Sequence, residues 1–282
     1  MPLFSPAETP QHQETGWRKP MNIAELQIAK MEEGKLQLDV MSMLEQRDVP
    51  REEIMEILHM AAGDSALLRR LAIRKKFGEP NAYLRGWAQM LGRKFKIDRR
   101  SYIPDAYTEE LIERVIAEAP QRGSLLEVGT GCGWISISLK CSRPDLAVSA
   151  CDIDPNALAL ARENALTHQA EIDFQESYFV DDVHMREPDV IIANIPYGGD
   201  ADYTPRELEE RPQMPPISIC DPDGPVVTLI EFIGSVRRRN WWSRIYVETG
   251  YLSRARLDPV IDGCRHFEHY RNGEFGYLVI DP

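Results

Sequence analysis

The 282-residue sequence lacks the cysteine arrangements that hold disulfide frameworks or zinc ions. Its cysteines are odd in number and none forms a Cys-x-x-Cys pair; they are Cys132, Cys141, Cys151, Cys220 and Cys264. We therefore expect neither a disulfide framework nor a metal site. Free thiols are typical of the reducing cytoplasm, which is the compartment that we predict.

Long hydrophobic runs are also missing. No apolar stretch approaches the roughly 20 residues that cross a bilayer. The N-terminus, "MPLFSPAETPQHQETG", has no basic start followed by an apolar core, so it does not resemble a signal peptide. Hydrophobic residues at 43% and charged residues at 28% are typical of a globular protein with a sizeable core. We predict no membrane partner.

Positive charge is scarce, because 33 Lys and Arg face 45 Asp and Glu, which leaves a net charge of −12. Phosphate contacts supply much of the affinity for nucleic acids. We therefore expect no nucleic-acid partner, although "RRLAIRKK" at 69–76 is locally basic. The acidic balance favours solubility, and a cationic substrate is the alternative interpretation.

The chain changes character three times. Residues 1–20 are polar and contain proline, which predicts a flexible lead-in. Apolar residues then recur at three- and four-residue spacings, which predicts a small domain of three or four helices over 21–78. A Gly-Glu-Pro break and the alternating "KFKID" predict a β-hairpin linker over 79–104, followed by a larger domain over 105–282.

Strand and helix patterns alternate in the larger domain. The predicted strands are "SLLEV", "LAVSACDID", "EIDFQES", "PDVIIAN" and "SRIYVETG", and the predicted helices are "GWISISLKCS", "PNALALARENALTH" and "VVTLIEFIGSVRRR". Such alternation predicts an α/β, Rossmann-like fold with a mostly parallel, doubly wound sheet. In these sheets, ligands bind beyond the carboxyl ends of the strands.

A glycine-rich loop follows the first of these strands. "EVGTGCG" places Glu127, Gly129, Thr130, Gly131 and Gly133 across a strand-to-helix turn. About twenty residues later, Asp152 ends the second strand, where a carboxylate can accept both hydroxyls of a ribose. This pattern suits NAD or S-adenosylmethionine, and the alternative without a ligand is a tight βα turn.

Two details of the loop favour S-adenosylmethionine. The third glycine follows after one residue instead of two, and Glu127 would repel a pyrophosphate. A sulfonium with an amino-acid tail tolerates that carboxylate. We therefore predict S-adenosylmethionine as the cofactor.

The tetrapeptide Asn194-Ile195-Pro196-Tyr197 follows the fourth strand. Asn-x-Pro-Tyr, together with the glycine loop, resembles class I methyltransferases that act on planar nitrogens. The Asn194 amide oxygen and the Ile195 carbonyl could accept N–H bonds, Pro196 would rigidify the turn, and Tyr197 could stack on the acceptor. Catalysis would then be positioning. The alternative is an ordinary proline turn with a core tyrosine.

A wider set of motifs, in order from Leu67 to Tyr277, resembles the HemK-type protein-(glutamine-N5) methyltransferases. It comprises "GEPNAYLRG", "GRKFKID", Ile103-Pro104, Thr108-Glu109, "EVGTGCG", "DIDPNALALARENA", "DVIIANIPY" and "YVETG". The resemblance implies a helical N-terminal domain, a hairpin linker and a class I catalytic domain that methylates a glutamine of a peptide-chain release factor. We take the cofactor-binding residues to be Glu127, Gly129, Thr130, Gly131, Gly133, Asp152, Ile153, Ser177, Tyr178 and Asn194.

The sequence departs from the family pattern at three places. Ile195 replaces a proline, Asp105-Ala106-Tyr107 replaces an arginine, a proline and an acidic residue, and Ser177 replaces an acidic residue near the adenine. We expect the first two changes to line the acceptor side. They suggest that the acceptor differs from the family's glutamine.

Carboxylates crowd the segment after the tetrapeptide. A solvated acidic loop is the ordinary interpretation of this crowding. The alternative is that one or two of these carboxylates hold a cation; since a guanidinium requires planar carboxylate partners, the acceptor that we favour is a small cationic compound such as L-arginine. Release-factor glutamine is the alternative acceptor. RNA adenine is a distant one, and a non-enzymatic binding protein or an NAD-dependent oxidoreductase is weaker still. The predicted substrate-binding residues are Asp105, Tyr107, Thr108, Asp200, Asp202, Glu207, Glu209, Glu210 and Glu248.

Overall fold

The fold is known from a computed structural model that describes residues 23–196, 208, 210–219, 226–273 and 275–282. The chain divides into two compact units, Met1–Arg69 and Arg70–Pro282. The predicted lead-in, 1–20, lies outside the described residues, and the predicted domain boundaries stay predictions. None of the described helices combines the length and the apolarity needed to cross a membrane.

The first unit is helical. It contains α1 (Ile23–Glu45), α2 (Arg51–Ala61) and the start of α3 (Ser65–Lys76). The Asp64 carboxylate caps α3 by accepting the backbone N–H groups of Ala66 and Leu67 at 2.8 and 2.9 Å. Helices α1 and α2 pack together, and Leu44 of α1 and Ile54 and Ile57 of α2 are fully buried.

The second unit begins within α3 and continues with a short helix and a hairpin. Helix α4 (Asn81–Arg85) precedes β1 (Trp87–Met90), which pairs antiparallel with β2 (Arg93–Lys96). The two-residue turn Leu91-Gly92 has φ of 43° and 74°, as a tight hairpin turn requires. The Asn164 side chain joins this hairpin to the glycine loop, because it bonds both Lys96 backbone groups and the Cys132 carbonyl.

The described residues also form a seven-stranded sheet of order β5-β4-β3-β6-β7-β9-β8. Strands β3 to β7 run parallel, and β9 is antiparallel to both of its neighbours. The strands are β3 (Ser124–Val128), β4 (Ala147–Asp152), β5 (Asp173–Glu176), β6 (Val190–Ala193), β7 (Arg244–Glu248), β8 (His266–Asn272) and β9 (Phe275–Asp281).

Helices cover the sheet on both faces, so the central strands are buried throughout. The helices are α5 (Thr108–Glu118), α6 (Trp134–Ser142), α7 (Pro155–His168), α8 (Val227–Arg238) and α9 (Arg254–Ile261). Successive side chains of a strand point to opposite faces. Accordingly, Leu125 belongs to one hydrophobic cluster, and Leu126 and Val128 belong to the other. This two-sided burial explains the continuous apolar runs of β3 and β6.

The predicted α/β fold with a mostly parallel sheet is confirmed. Helix α7 begins and ends where the sequence pattern places it, with Pro155 in the first turn and the Asp154 carboxylate accepting the Asn156 N–H at 2.8 Å. The sequence patterns did not identify α5, α9 or the β8–β9 hairpin.

Candidate active site

A cavity of about 630 Å³ lies at the carboxyl ends of the parallel strands. This position is where a doubly wound sheet binds its ligands. Most of the predicted site residues line this one cavity: Asp105, Tyr107, Glu127, Gly129, Thr130, Gly131, Asp152, Ile153, Ser177, Tyr178, Asn194, Ile195, Pro196 and Glu248.

Glycine is required in the loop for backbone conformation and for space. Gly129 has φ of 74°, and a Cβ there would lie 2.8 Å from Ile195 Cγ2. Gly131 has φ of 53°, and its Cβ would lie 2.9 Å from Ser101 Oγ. Gly133 is not among the lining residues in the described chain, and its Cβ would meet Ala161 Cβ at 3.0 Å. The first two glycines therefore shape the cavity, whereas Gly133 allows α6 and α7 to pack closely.

Asp152 is held by backbone donors on both of its carboxylate oxygens. Gly131 N donates to Oδ2 at 2.8 Å, and Asp154 N donates to Oδ1 at 3.0 Å. Burial raises the pKa of Asp152 despite these bonds. Each oxygen keeps lone-pair capacity, so the carboxylate can accept the two hydroxyls of a ribose.

Glu127 is fully buried at the base of the loop. Its Oε2 accepts the Thr130 hydroxyl at 2.6 Å and the Ser136 N–H at 3.0 Å. Its Oε1 has no hydrogen-bond partner among the described residues, and burial raises the pKa of Glu127 to about 7. A buried oxygen without a partner on a cavity wall suits a cationic ligand group, such as the ammonium of an amino-acid tail.

The residues that follow β5 also line the cavity. Ser177 is buried, and its hydroxyl accepts the Asp182 N–H at 3.0 Å. The Tyr178 hydroxyl donates to Glu231 of α8, while Ile153 and Phe179 also line this wall. An aromatic and aliphatic surface with a carboxylate nearby fits a planar heterocycle.

The Asn194 side chain begins a chain of two hydrogen bonds that leads into the buried interior. Its Nδ2 donates to Thr108 Oγ1 at 3.1 Å, and Thr108 Oγ1 donates to Glu248 Oε2 at 2.5 Å. Thr108 is fully buried and Glu248 is 1% exposed. Thr108 is not among the described lining residues, although we predicted that it binds substrate; it contacts Asn194 instead.

Ile195 both lines the cavity and packs into the core. Its side chain is 5% exposed, belongs to a hydrophobic cluster and faces Gly129. The replacement of proline by isoleucine therefore affects packing against the glycine loop, and its effect on the acceptor stays a prediction.

Three aromatic side chains, Tyr107, Tyr251 and Phe275, line another part of the cavity. Tyr107 stacks on Phe275 with ring centroids 4.3 Å apart, and Tyr251 meets Phe275 edge-on at 5.7 Å. The Asp105 carboxylate accepts the Tyr107 N–H at 2.9 Å. Phe275 and Tyr251 were not predicted. The Asn272-Gly273 pair before "FGYLVID" is the hairpin signal that could have found Phe275.

Several predicted residues lie elsewhere. Glu210 forms an ion pair with the buried Lys75 at 3.7 Å, and it is absent from the lining residues that the structure describes. The remaining predicted residues fall outside the described part of the chain: Tyr197, Asp200, Asp202, Glu207 and Glu209.

Comparison with known proteins agrees with this geometry. Residues 103–209 match a family model described as the methyltransferase small domain. The chain is 34% identical over 158 residues to the release factor glutamine methyltransferase of Bacteroides thetaiotaomicron, covering 55% of this chain and 57% of that protein. It is 38% identical over 149 residues to the same-named protein of Neisseria gonorrhoeae, covering 51% and 55%. The resemblance to HemK-type methyltransferases is confirmed.

The chain spans about half the length of these curated relatives. Among solved structures, it is similar to a SAM dependent methyltransferase from Aquifex aeolicus, with 14% identity, a TM-score of 0.44, and coverage of 62% of this chain and 92% of that one.

Proposed function

We propose that the protein transfers a methyl group from S-adenosylmethionine to the side-chain amide nitrogen of a glutamine, in a peptide-chain release factor. One observation carries the proposal. A single cavity is lined both by the glycine loop with Asp152 and by Asn194-Ile195-Pro196. A cofactor and a planar acceptor can therefore meet in it. The similarity to release factor glutamine methyltransferases supports the choice of acceptor.

The part of the cavity lined by the glycine loop, Glu127, Asp152, Ile153 and Phe179 fits S-adenosylmethionine, and we call it the cofactor wall. Asp152 would accept the ribose hydroxyls, and Glu127 Oε1 would accept the ammonium of the amino-acid tail. Ile153 and Phe179 would contact the adenine. When bound, this cofactor would supply an electrophilic methyl group on a sulfonium: the acceptor nitrogen would bond to the methyl carbon while the C–S bond breaks and the sulfur leaves as a neutral thioether.

An amide nitrogen is a poor nucleophile, so the enzyme must position it. We assign this role to the part of the cavity lined by Asn194, Tyr107 and Phe275, which we call the acceptor wall. Asn194 Oδ1 would accept one N–H of the substrate amide in its plane, which turns the face of that nitrogen toward the cofactor wall. No described side chain needs to act as a strong base, since the proton leaves the methylated nitrogen for solvent. Asn194 therefore orients the substrate and does not activate it chemically.

Arginine was the favoured acceptor on sequence grounds, and it has less support. Of the five carboxylates after the tetrapeptide, the described one, Glu210, is paired with Lys75. The residue at 195, whose change from proline suggested another acceptor, packs into the core. We therefore propose glutamine as the acceptor.

The test is to incubate the purified protein with methyl-labelled S-adenosylmethionine and either a release factor from the same organism or free L-arginine. We expect label on the release factor, with mass spectrometry locating one added methyl group on a glutamine. A release factor with that glutamine changed to alanine is the matched control and should stay unlabelled. Label on arginine alone, or on neither acceptor, would overturn the proposal.

A further inference from the structure

Asn194 lies at one end of a three-residue hydrogen-bond relay, Asn194–Thr108–Glu248. The relay joins the loop after β6, the first residue of α5 and the last residue of β7. Its two bonds measure 3.1 and 2.5 Å, and its inner members are buried. These residues are distant in sequence, so only the folded sheet brings them together.

The number of protons fixes the direction of the relay. A hydroxyl carries one proton, and with Glu248 ionised Thr108 donates that proton to the carboxylate, which in this state can only accept. Thr108 therefore meets Asn194 with a lone pair, and the group facing it must be the NH₂ of the amide. The amide oxygen occupies the other branch of the side chain, so Oδ1 is turned away from Thr108.

This orientation matters because the oxygen of an amide accepts hydrogen bonds, whereas its NH₂ group donates them. With Oδ1 toward the acceptor, Asn194 accepts an N–H bond. With the amide flipped, its NH₂ would face the N–H of the acceptor, and two donors would meet without a proton acceptor. Flipping would also place Oδ1 against the Thr108 lone pair. A bond from a hydroxyl to a carboxylate at 2.5 Å is in the range of charge-assisted bonds, which strongly disfavours that alternative.

We propose that Thr108 and Glu248 are positioning residues that set the amide of Asn194 with Oδ1 presented to the acceptor nitrogen. This inference rests on the proposed function, because it assigns the relay to the same methyl transfer. Thr108 acts through Asn194, since it is buried behind the wall and is not among the described lining residues. The relay also explains why a carboxylate is buried at the end of β7.

Four variants test the relay. Thr108→Val removes the hydroxyl at nearly constant shape and should lower kcat about 10²-fold, as misplacement of a positioning group does, without changing the cofactor Kd. Thr108→Ser keeps the hydroxyl and should retain most of the wild-type kcat. In Glu248→Gln, the new amide can donate to Thr108 and turn the hydroxyl proton toward Asn194, so kcat should also fall.

Thr249→Val is the matched control. Thr249 is fully buried beside Glu248, and its hydroxyl has no hydrogen-bond partner among the described residues. We expect wild-type kcat for this variant. A purely structural role for Thr108 would lower Tm in Thr108→Val and leave kcat per folded molecule unchanged, and that result would overturn the proposal. So would equal losses in Thr108→Ser and Thr108→Val.

A readout without turnover separates this proposal from the proposed function. In protein labelled with ¹⁵N-asparagine, the Asn194 NH₂ signals are assigned by their absence in Asn194→Ala. We expect Thr108→Val to shift these signals and speed their proton exchange, whereas Thr249→Val leaves them unchanged. If the wild type methylates no glutamine but these shifts occur, the proposed function fails and the relay stands. Unchanged signals in Thr108→Val would overturn the relay, whatever the acceptor.

Discussion

The two walls of the cavity are built in different ways. The cofactor wall is held mainly by backbone groups of one strand–helix–strand unit: Asp152 accepts from Gly131 and Asp154, and Glu127 accepts from Ser136 and from the Thr130 hydroxyl. The acceptor wall is held by side chains far apart in sequence, as in the Asn194–Thr108–Glu248 relay. Backbone donors are available to every sequence with the right turn, whereas a side-chain relay exists only if each member is present. The acceptor wall should therefore be more sensitive to single substitutions that leave the fold intact.

The largest expected effect is on the acceptor wall. Asn194→Ala removes the group that would position the acceptor nitrogen, and we expect kcat to fall about 10²- to 10³-fold, the usual range for one preorganised hydrogen-bonding group. Calorimetric titration with S-adenosylmethionine should give a nearly unchanged Kd. If cofactor binding is lost instead, Asn194 belongs to the cofactor wall and the division between the walls breaks down.

On the cofactor wall, the strongest effect should appear in stability against pH. Burial raises the pKa of Glu127 from 4.5 to about 7, so the folded state holds this proton more tightly than the unfolded state. The contribution to stability is full below pH 4.5 and decreases as the pH rises to about 7, by about 3 kcal/mol in total. Glu127→Gln has no titrating group at this position, so its stability should lack this pH-dependent contribution. Urea unfolding of both proteins between pH 4.5 and 8 measures it, and parallel pH profiles would contradict the prediction.

A smaller effect on stability should distinguish backbone strain from close packing at Gly129, where the glycine loop meets Ile195. Gly129 and Gly92 both have φ of 74°, but a Cβ at Gly129 would lie 2.8 Å from Ile195 Cγ2, whereas Gly92 has open space. Alanine should strain the backbone equally at both positions. We expect Gly129→Ala to be less stable than Gly92→Ala by about 2 kcal/mol in urea unfolding, which is the cost of overpacking. Equal losses of unfolding free energy in the two variants would mean that the Ile195 side chain moves away from the new Cβ at no energetic cost.

The smallest effect contrasts one tyrosine on each wall. Tyr107 stacks on Phe275 at the acceptor end, and Tyr178 lies at the cofactor end with its hydroxyl bonded to Glu231. Tyr107→Ala should raise the KM of the acceptor by an amount equivalent to about 1 kcal/mol and leave the cofactor Kd unchanged. Tyr178→Ala should do the reverse. Steady-state kinetics with each substrate varied in turn measures both effects. If either variant weakened the binding of both substrates, the two walls would not be independent.

The two walls also differ in how far the sequence predicts them. The loop of Gly129 and Gly131 and the acidic Asp152 lie within one strand–helix–strand unit, whose spacing sets the geometry. The packing of Ile195 against Gly129 was not predicted, because no local pattern distinguishes a residue that only lines a cavity from one that also packs into the core. Its neighbour, Gly129, is more than sixty residues away. Phe275 was missed because it reaches the site through the antiparallel strand β9.

The sequence by itself determined the alternation of strands and helices, the glycine loop and the carboxylate at the end of the second strand, because these depend on local periodicity and turn chemistry. Tertiary structure alone decided which side chains share the cavity and how Asn194 is oriented. That orientation follows from one hydroxyl proton between α5 and β7. A chain cannot encode it locally, because Thr108 and Glu248 stand 140 residues apart.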